Sequence, residues 1–363
     1  MKKSKKYYYD IEDDLKEYPD AWCYIVVGGR NTGKTYSTLK YYYTLPADFT
    51  FIKRTNEDVK LLCAGSGKIG SKVNEYGVDL SPFKSINRDI GSNVKAFSIF
   101  DGLGGFWKCD ADDSAVGKPI GYICSLNAVN KVKGFDLSES KALIFDEFIP
   151  QPWERVNRKE GEQLMDMYKT VSRDREHRGE SPLKLICLAN AVSIYNPTME
   201  MLEITDDMVM MEVKNQSHLY LEERGILIHR VDQQDFKEEE KNSAIYKAMG
   251  NTAWGRMALE NSFAYDDFSN IGTKSLRGQR PYLHLIYKNY DWYIYQKDGE
   301  FYCCTSKTNK FLKEYNLNSE NGQKAFFNHE YFRLRDKCIE GKFMFTKYTM
   351  YYTIVNFKKV FKI

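Results

Sequence analysis

Three short clusters in this chain have the residue types and spacing to hold and cleave a phosphate chain. The first is Gly28-Gly29-Arg30-Asn31-Thr32-Gly33-Lys34-Thr35, which fits the pattern G-x-x-x-x-G-K-[ST]. Glycines let such a loop wrap so that backbone N–H groups point inward at an anion, and a helix beginning there adds the positive end of its dipole. Lys34 would bridge the β- and γ-phosphates as a point charge, and the Thr35 hydroxyl would take one position on Mg2+. Arg30 inside the loop either contacts phosphate or is a solvated side chain. The second cluster is Asp146-Glu147, two acids closing the apolar run that starts at Lys141. Asp146 suits the water shell of Mg2+, and Glu147 suits the polarising of an attacking water. The third is Asn190, at the tip of the next apolar run, which either senses a γ-phosphate or simply starts a turn.

Groups so far apart in sequence meet only if the elements carrying them deliver their ends to one place. The run Cys23-Tyr24-Ile25-Val26-Val27 before the glycine loop and Tyr36-Ser37-Thr38-Leu39-Lys40-Tyr41 after it predict strand, loop and helix in the required order. Phe49 to Arg54 predicts a second strand. Lys95 to Phe100, Phe106 to Cys109 and Gly121 to Leu126, with the turn Gly102-Leu103-Gly104-Gly105, predict an antiparallel hairpin region attached to a parallel sheet. The runs 141–148 and 183–190 read as buried central strands ending in polar tips, where open α/β sheets bind ligands. Between them, Leu164, Met167, Tyr168 and Val171 stand at i, i+3, i+4 and i+7 and predict an amphipathic helix over 160–176. Val209–Val213 and Gly225–His229 read as the last strands of this sheet, and residues 232–264 as a helical connector. Beyond it, 282–287, 291–296 and 300–305 predict three strands, the last two joined by Lys297-Asp298-Gly299. A helix over 322–339 and a strand over 342–348 follow, an order that matches an RNase H-like domain in topology.

At 363 residues the chain suits two domains and a connector rather than one core. A hydrophobic fraction of 42% supports burial, and the aromatic content is 15%, led by 27 Tyr. The eight cysteines form no C-x-x-C pair and have no matching His spacing, so they suggest neither a zinc site nor a disulfide framework, and a reducing cytosol fits best. The adjacent Cys303 and Cys304 are expected on opposite faces of a strand. The basic start from Met1 to Lys6 lacks the apolar core of a signal peptide, and the sequence has no apolar span near the length of a membrane helix. Net charge is only +3, but residues 265–363 carry 17 Lys+Arg against 10 Asp+Glu while the rest carries 36 against 40. The carboxyl-terminal part is therefore the basic one: either a solvated lysine-rich surface or a nucleic-acid face.

The glycine loop, Ile144-Phe145-Asp146-Glu147-Phe148-Ile149, Thr170-Val171-Ser172-Arg173-Asp174-Arg175-Glu176, and Ile186-Cys187-Leu188-Ala189-Asn190-Ala191-Val192-Ser193 with Asn196-Pro197 together resemble the genome-packaging ATPases of small protein-primed tailed phages. The resemblance spans about residues 20 to 230 and continues more loosely to the end. It implies an ASCE P-loop ATPase domain with a mainly parallel sheet over 1–231, a helical linker over 232–264 and an α+β RNase H-like domain over 265–363. It implies ATP and Mg2+ as cofactors, and a homo-oligomeric ring, expected to be a pentamer, that docks on the viral portal and drives double-stranded DNA into a procapsid in the host cytoplasm. An RNA adaptor is a further partner it suggests. Arg173 resembles the family's trans-acting arginine finger, and Lys133 falls where a second trans-acting basic residue is found. Asn56 stands where some relatives have a lysine, leaving Lys53 and Arg54 as substitutes for DNA gripping or as strand caps. The first strand of the last domain, Tyr282 to Tyr287, carries no acid, so a nuclease-like domain without nuclease activity is expected. Two other readings stay open: a packaging enzyme that also cuts DNA, and a nucleotide-gated binding protein that does no work.

Overall fold

A computed structural model describes residues 8–45, 48–70, 79–132, 134–151, 153–231, 242–252, 255, 263, 266–310 and 312–363. The chain divides into two compact units, one comprising Met1–Leu202 with Met211–Tyr265 and the other Glu203–Met210 with Asp266–Ile363.

In the larger unit, nine strands among the described residues form one sheet. They are β1 (Cys23–Gly28), β2 (Phe49–Lys53), β3 (Val94–Phe100), β4 (Leu103–Lys108), β5 (Gly121–Ser125), β6 (Ala142–Asp146), β7 (Lys184–Ala189), β8 (His218–Leu221) and β9 (Ile226–Val231). Their order is β3-β4-β5-β2-β6-β7-β1-β9-β8. The six from β5 to β9 run parallel. The β3–β4 hairpin closes one edge antiparallel as expected, but its turn is Asp101-Gly102, since Leu103, Gly104 and Gly105, expected in the turn, pair within β4; β8 closes the other edge. Central strands are continuously apolar because both faces are covered: every residue of β1 is buried, as are Ala142 to Phe145 of β6. One face sends Tyr24, Val26, Phe49, Phe51, Ile144, Ile186 and Leu188, the alternate residues of four strands, into a common core. That core is completed by Ile11 of helix α1 (Ile11–Glu17), Leu39 of α2 (Lys34–Thr44), Val59 of α3 (Asn56–Leu62) and Ile86 of α4 (Phe83–Ile90).

Several expectations need correction. Val209–Val213 is not a strand but the end of a helix, Thr205–Val213. A short run of Val and Met has no period that separates strand from helix, and here Asp206 and Asp207 in the first turn favour a helix N-terminus. The edge partner of β9 is instead β8, whose four residues are all only half-buried and therefore give little apolar signal. Of the expected connector, Ala244–Met249 is helical, and most of the rest lies outside the described residues.

The smaller unit is α+β. Strands β10 (Arg280–Tyr287), β11 (Tyr290–Lys297) and β12 (Glu300–Cys304) form the expected antiparallel meander. β13 (Lys313–Asn316) adds in parallel beside β10, and β14 (Phe343–Phe345) in parallel beside β12. Cys303 and Cys304 point into separate apolar clusters on the two faces. Three helical segments run on from one another over Glu320–Phe326, Phe327–Tyr331 and Phe332–Ile339, the middle one a π turn. The strand expected over 342–348 is only Phe343–Phe345, because the chain turns into a helix at Tyr348–Val355.

Candidate active site

The sheet order explains how the three clusters converge. β7 lies between β6 and β1, so the loop strand and the strand with the acids are not adjacent; the strand carrying Asn190 separates them. Val27 pairs with Ala189 and Asp146 with Leu188, so all three tips end at the same level.

The glycine loop leaves β1 at Gly28, where a Cβ would stand 2.9 Å from Cβ of Val231 and 3.4 Å from Nζ of Lys34. Only glycine lets β9 and the lysine approach this closely. Gly33, with φ +87°, is the cap of α2, a conformation that penalises side chains. Lys34 is buried, and its Nζ donates to the carbonyls of Gly28 (3.0 Å) and Gly29 (2.7 Å), to Oγ1 of Thr32 (3.1 Å) and to Oδ1 of Asn190 (3.5 Å). Burial pulls this ammonium down to about 8, against the opposing pull of Asp146. Oγ1 of Thr35 donates to Oδ1 of Asp146 at 2.8 Å. Neighbouring ligands of an octahedral ion bound at 2.0–2.1 Å stand about 3 Å apart, so this oxygen pair fits Mg2+. Arg30, Asn31, Thr32, Gly33, Lys34, Thr35, Asp146, Glu147 and Asn190 all line a cavity of about 340 Å³. Arg30 and Asn31 are exposed there. A second cavity, of about 800 Å³, shares Asn31, Gly33 and Tyr36 with it and extends along α2 past Tyr8, Lys40 and Arg88.

The acids are held by two residues that sequence reasoning had left to DNA gripping or strand capping. Ile52 pairs with Phe145, so Lys53 and Asp146 come next side by side at the ends of β2 and β6. Nζ of Lys53 lies 3.2 Å from Oδ2 of Asp146 and 3.0 Å from Oε2 of Glu147. Burial alone would lower the Lys53 ammonium; Asp146 and Glu147 overcome this and hold it above its ordinary value. Arg54 donates through Nη2 to the carbonyls of Glu147 (2.9 Å) and Phe148 (3.0 Å) and pairs with the buried Glu160 (2.7 Å) and with Glu154 (2.9 Å). Glu147 itself has φ +57°, a left-handed conformation costing a non-glycine residue roughly 1–2 kcal/mol. The Arg54 bonds to the carbonyls of Glu147 and of the residue after it hold this turn. Nothing in the Lys53-Arg54 dipeptide marks it as part of the site. Only the pairing of β2 with β6 does so.

Arg173 lies apart from these groups. It ends the helix Glu160–Ser172 with φ +46°, is partly exposed, and donates to the carbonyl of Phe135 (3.1 Å) beside Asp136 (3.5 Å). Arg175, two residues on, is buried and donates to the carbonyls of Ser138 and Ser140 at 2.6 Å each. The segment 173–175 thus supplies one outward and one inward guanidinium. Lys133 lies outside the described residues. In the smaller unit, His284 of β10 stands between Asp291 (2.7 Å) and Glu314 (2.9 Å).

A glycine loop opening a helix, with the acid-bearing strand one removed from the loop strand, defines a P-loop nucleotide-binding protein of the ASCE branch. The chain belongs to the Podovirus DNA encapsidation protein (Gp16) family, whose description matches residues 114–325. It is 26% identical to the DNA packaging protein of Bacillus phage B103 over 271 residues, 72% of this chain and 70% of that protein. It is 29% identical to the DNA packaging protein of Bacillus phage phi29 over 178 residues, 48% of each. Its fold resembles solved structures of the bacteriophage Phi-29 viral genome packaging motor assembly (TM-score 0.62, 17% identity, 98% of both chains) and of the Phi-28 gp11 DNA packaging motor (TM-score 0.59, 16% identity, 99% of both).

Proposed function

We infer that this chain is an ATPase that drives double-stranded DNA into a viral procapsid. Family membership supports the role in packaging. The observation that carries the enzymatic reading is the 2.8 Å contact between Thr35 and Asp146 beneath the loop lysine. It joins the first turn of α2 to the tip of β6, a strand not adjacent to β1, as one hard-oxygen pair beside a phosphate cradle. In this reading residues 1–231 are the ATPase domain, 232–264 a helical linker and 265–363 an RNase H-like domain.

The residue roles follow from chemistry. The loop amides and Lys34 hold the triphosphate, with Arg30 on the solvent side, while the cavity along α2 offers room for the nucleoside. Thr35 and Asp146 would hold Mg2+, which supplies positive charge to the transferring phosphoryl oxygens. Glu147 aligns the water for in-line attack once its carboxylate leaves the Lys53 ammonium, 3.0 Å away. Asn190, 3.5 Å from Lys34, reports on the γ-phosphate. Arg173 points outward and would act on the site of a neighbouring subunit in a ring, proposed as a pentamer, with Lys133 in a second trans role. The ring would act at the portal vertex of the procapsid in the host cytoplasm, with an RNA adaptor as a further proposed partner. Among the described residues no helix is long and apolar enough to cross a membrane. The smaller unit is proposed to contact DNA or portal without cutting, because His284 rather than a carboxylate occupies the polar centre of β10.

ATP hydrolysis with and without double-stranded DNA tests this reading. Stimulation by DNA is expected, and Glu147→Gln should bind ATP while losing turnover. Nucleotide binding without any hydrolysis would favour a gated binding protein, and nicking of plasmid by the full chain with Mn2+ would favour an active nuclease.

A further inference from the structure

Away from the nucleotide site, α1 approaches the β8–β9 edge of the sheet through a compact polar cluster. His218 of β8 and His229 of β9 are directly opposed across the antiparallel ladder, with ring centroids 3.8 Å apart. Asp14 of α1 reaches between them. Nδ1 of His229 lies 2.8 Å from Oδ2 of Asp14 and 3.0 Å from Oδ1, while Nε2 of His218 lies 3.8 Å from Oδ1. The three side chains can each offer one ligand atom with all of these within 4.8 Å of one another. We propose that Asp14, His218 and His229 form a binding site for a divalent transition ion of the zinc class, which fastens α1 to the sheet edge.

The geometry and the surroundings suit such an ion. Zinc bound at about 2.1 Å in a tetrahedron separates its ligands by about 3.4 Å, and the observed spacings of 2.8 to 3.8 Å straddle that value. Two imidazoles and one carboxylate are borderline donors that select zinc over the hard ions taken by all-oxygen sites. Orienting contacts are also present. The Tyr9 hydroxyl donates to Oδ2 of Asp14 at 2.8 Å, and Oγ of Ser217 lies 3.0 Å from Nδ1 of His218, which leaves Nε2 of that ring facing the carboxylate. His218 remains 36% exposed, which gives an ion an entry path and a water for the fourth position.

A clip here has something to hold. A seven-residue helix does not sustain itself in water. Yet α1 and the turn before it touch the phosphate loop: the Tyr9 amide donates to the carbonyl of Thr32 (2.9 Å) and the Ile11 amide to Oγ of Ser37 on α2 (2.8 Å). No cysteine spacing or His-x-His pattern could reveal the site, because its residues come from opposite ends of the larger unit.

The test is metal uptake by the full-length protein. After dialysis against a chelator, titration with Co2+ should give the intense visible absorption of a four-coordinate site, saturating at a single equivalent and displaced by Zn2+. An all-oxygen site at Thr35 and Asp146 would give only the weak bands of six-coordinate cobalt. The double variant His218→Ala/His229→Ala should lose the intense band, whereas His177→Ala, an exposed histidine elsewhere, should keep it. Tyr9→Phe should keep the band and weaken affinity by about 10–100-fold. Absence of the band in the unaltered chain, or its persistence in the double variant, overturns the proposal.

Discussion

Replacing Lys53 with methionine should destabilise the metal-free protein and at the same time make its stability depend on Mg2+. The Lys53 and Asp146 side chains are 13% and 14% exposed and 3.2 Å apart, whereas the Glu147 side chain is 65% exposed. At an effective dielectric constant of about 20, the Lys53–Asp146 attraction is about 5 kcal/mol before desolvation is subtracted. Deleting one partner of a buried pair strands the other, at a cost of about 3–5 kcal/mol, while the solvated Glu147 arm adds less than about 1 kcal/mol. For a unit of roughly 250 residues each kcal/mol moves Tm by about 2–4 °C, so a loss of about 6–20 °C is expected in chelator. Methionine keeps the stem of the side chain, so the change isolates the charge. A divalent ion held as proposed at Thr35 and Asp146 would supply the missing positive charge, and its stabilisation would grow with concentration. Thermal unfolding followed across a Mg2+ titration should therefore recover most of the loss in the variant, while the unaltered chain, where Lys53 competes for Asp146, responds weakly. An unchanged Tm in chelator, or equal Mg2+ responses in the two proteins, would refute the claim that Lys53 stands in for the cation.

Two further outcomes follow from the same site. Lys34 is held at about 8, below its unfolded value of about 10.4, so its burial destabilises the fold while the group is charged; that penalty is fully present below pH 8 and is relieved as pH rises from 8 towards 10.4. Bound phosphate favours the charged form, so nucleotide binding near pH 9 should take up a proton, seen as a calorimetric enthalpy that varies with buffer ionisation; no buffer dependence would count against the assignment. If Arg173 serves a neighbouring subunit, Arg173→Ala and Lys34→Ala chains, each inactive alone, should regain DNA-stimulated hydrolysis when mixed, with a loss of about a thousandfold or more for the pure Arg173→Ala ring. No recovery at any mixing ratio would exclude the trans role.

Most of the scaffold was legible because the central strands are covered on both faces and so read as unbroken apolar runs: β1, β6 and β7 emerged at nearly their observed bounds together with their polar tips. The misreadings occurred where local pattern carries no period. Val209 to Val213 is short and apolar in either conformation, and β8 is half-buried throughout, so only tertiary pairing decides them. The site divides along the same line. Lys34, Thr35, Asp146 and Asn190 are marked by their own flanks, whereas Lys53 and Arg54 become part of the site only through the adjacency of β2 and β6. That adjacency changes what the site is. The glycine loop and the acids alone describe a self-sufficient centre, but the structure adds an ammonium shared between Asp146 and Glu147 that ties the two carboxylates to β2. In the proposed mechanism, release of Glu147 from Lys53 would take a competing positive charge on Asp146 or a displacement of β2 relative to β6. Because Arg54 anchors the backbone of Glu147 and Phe148 from the same strand end, a movement of β2 would alter the carboxylate proposed to activate water and its turn together.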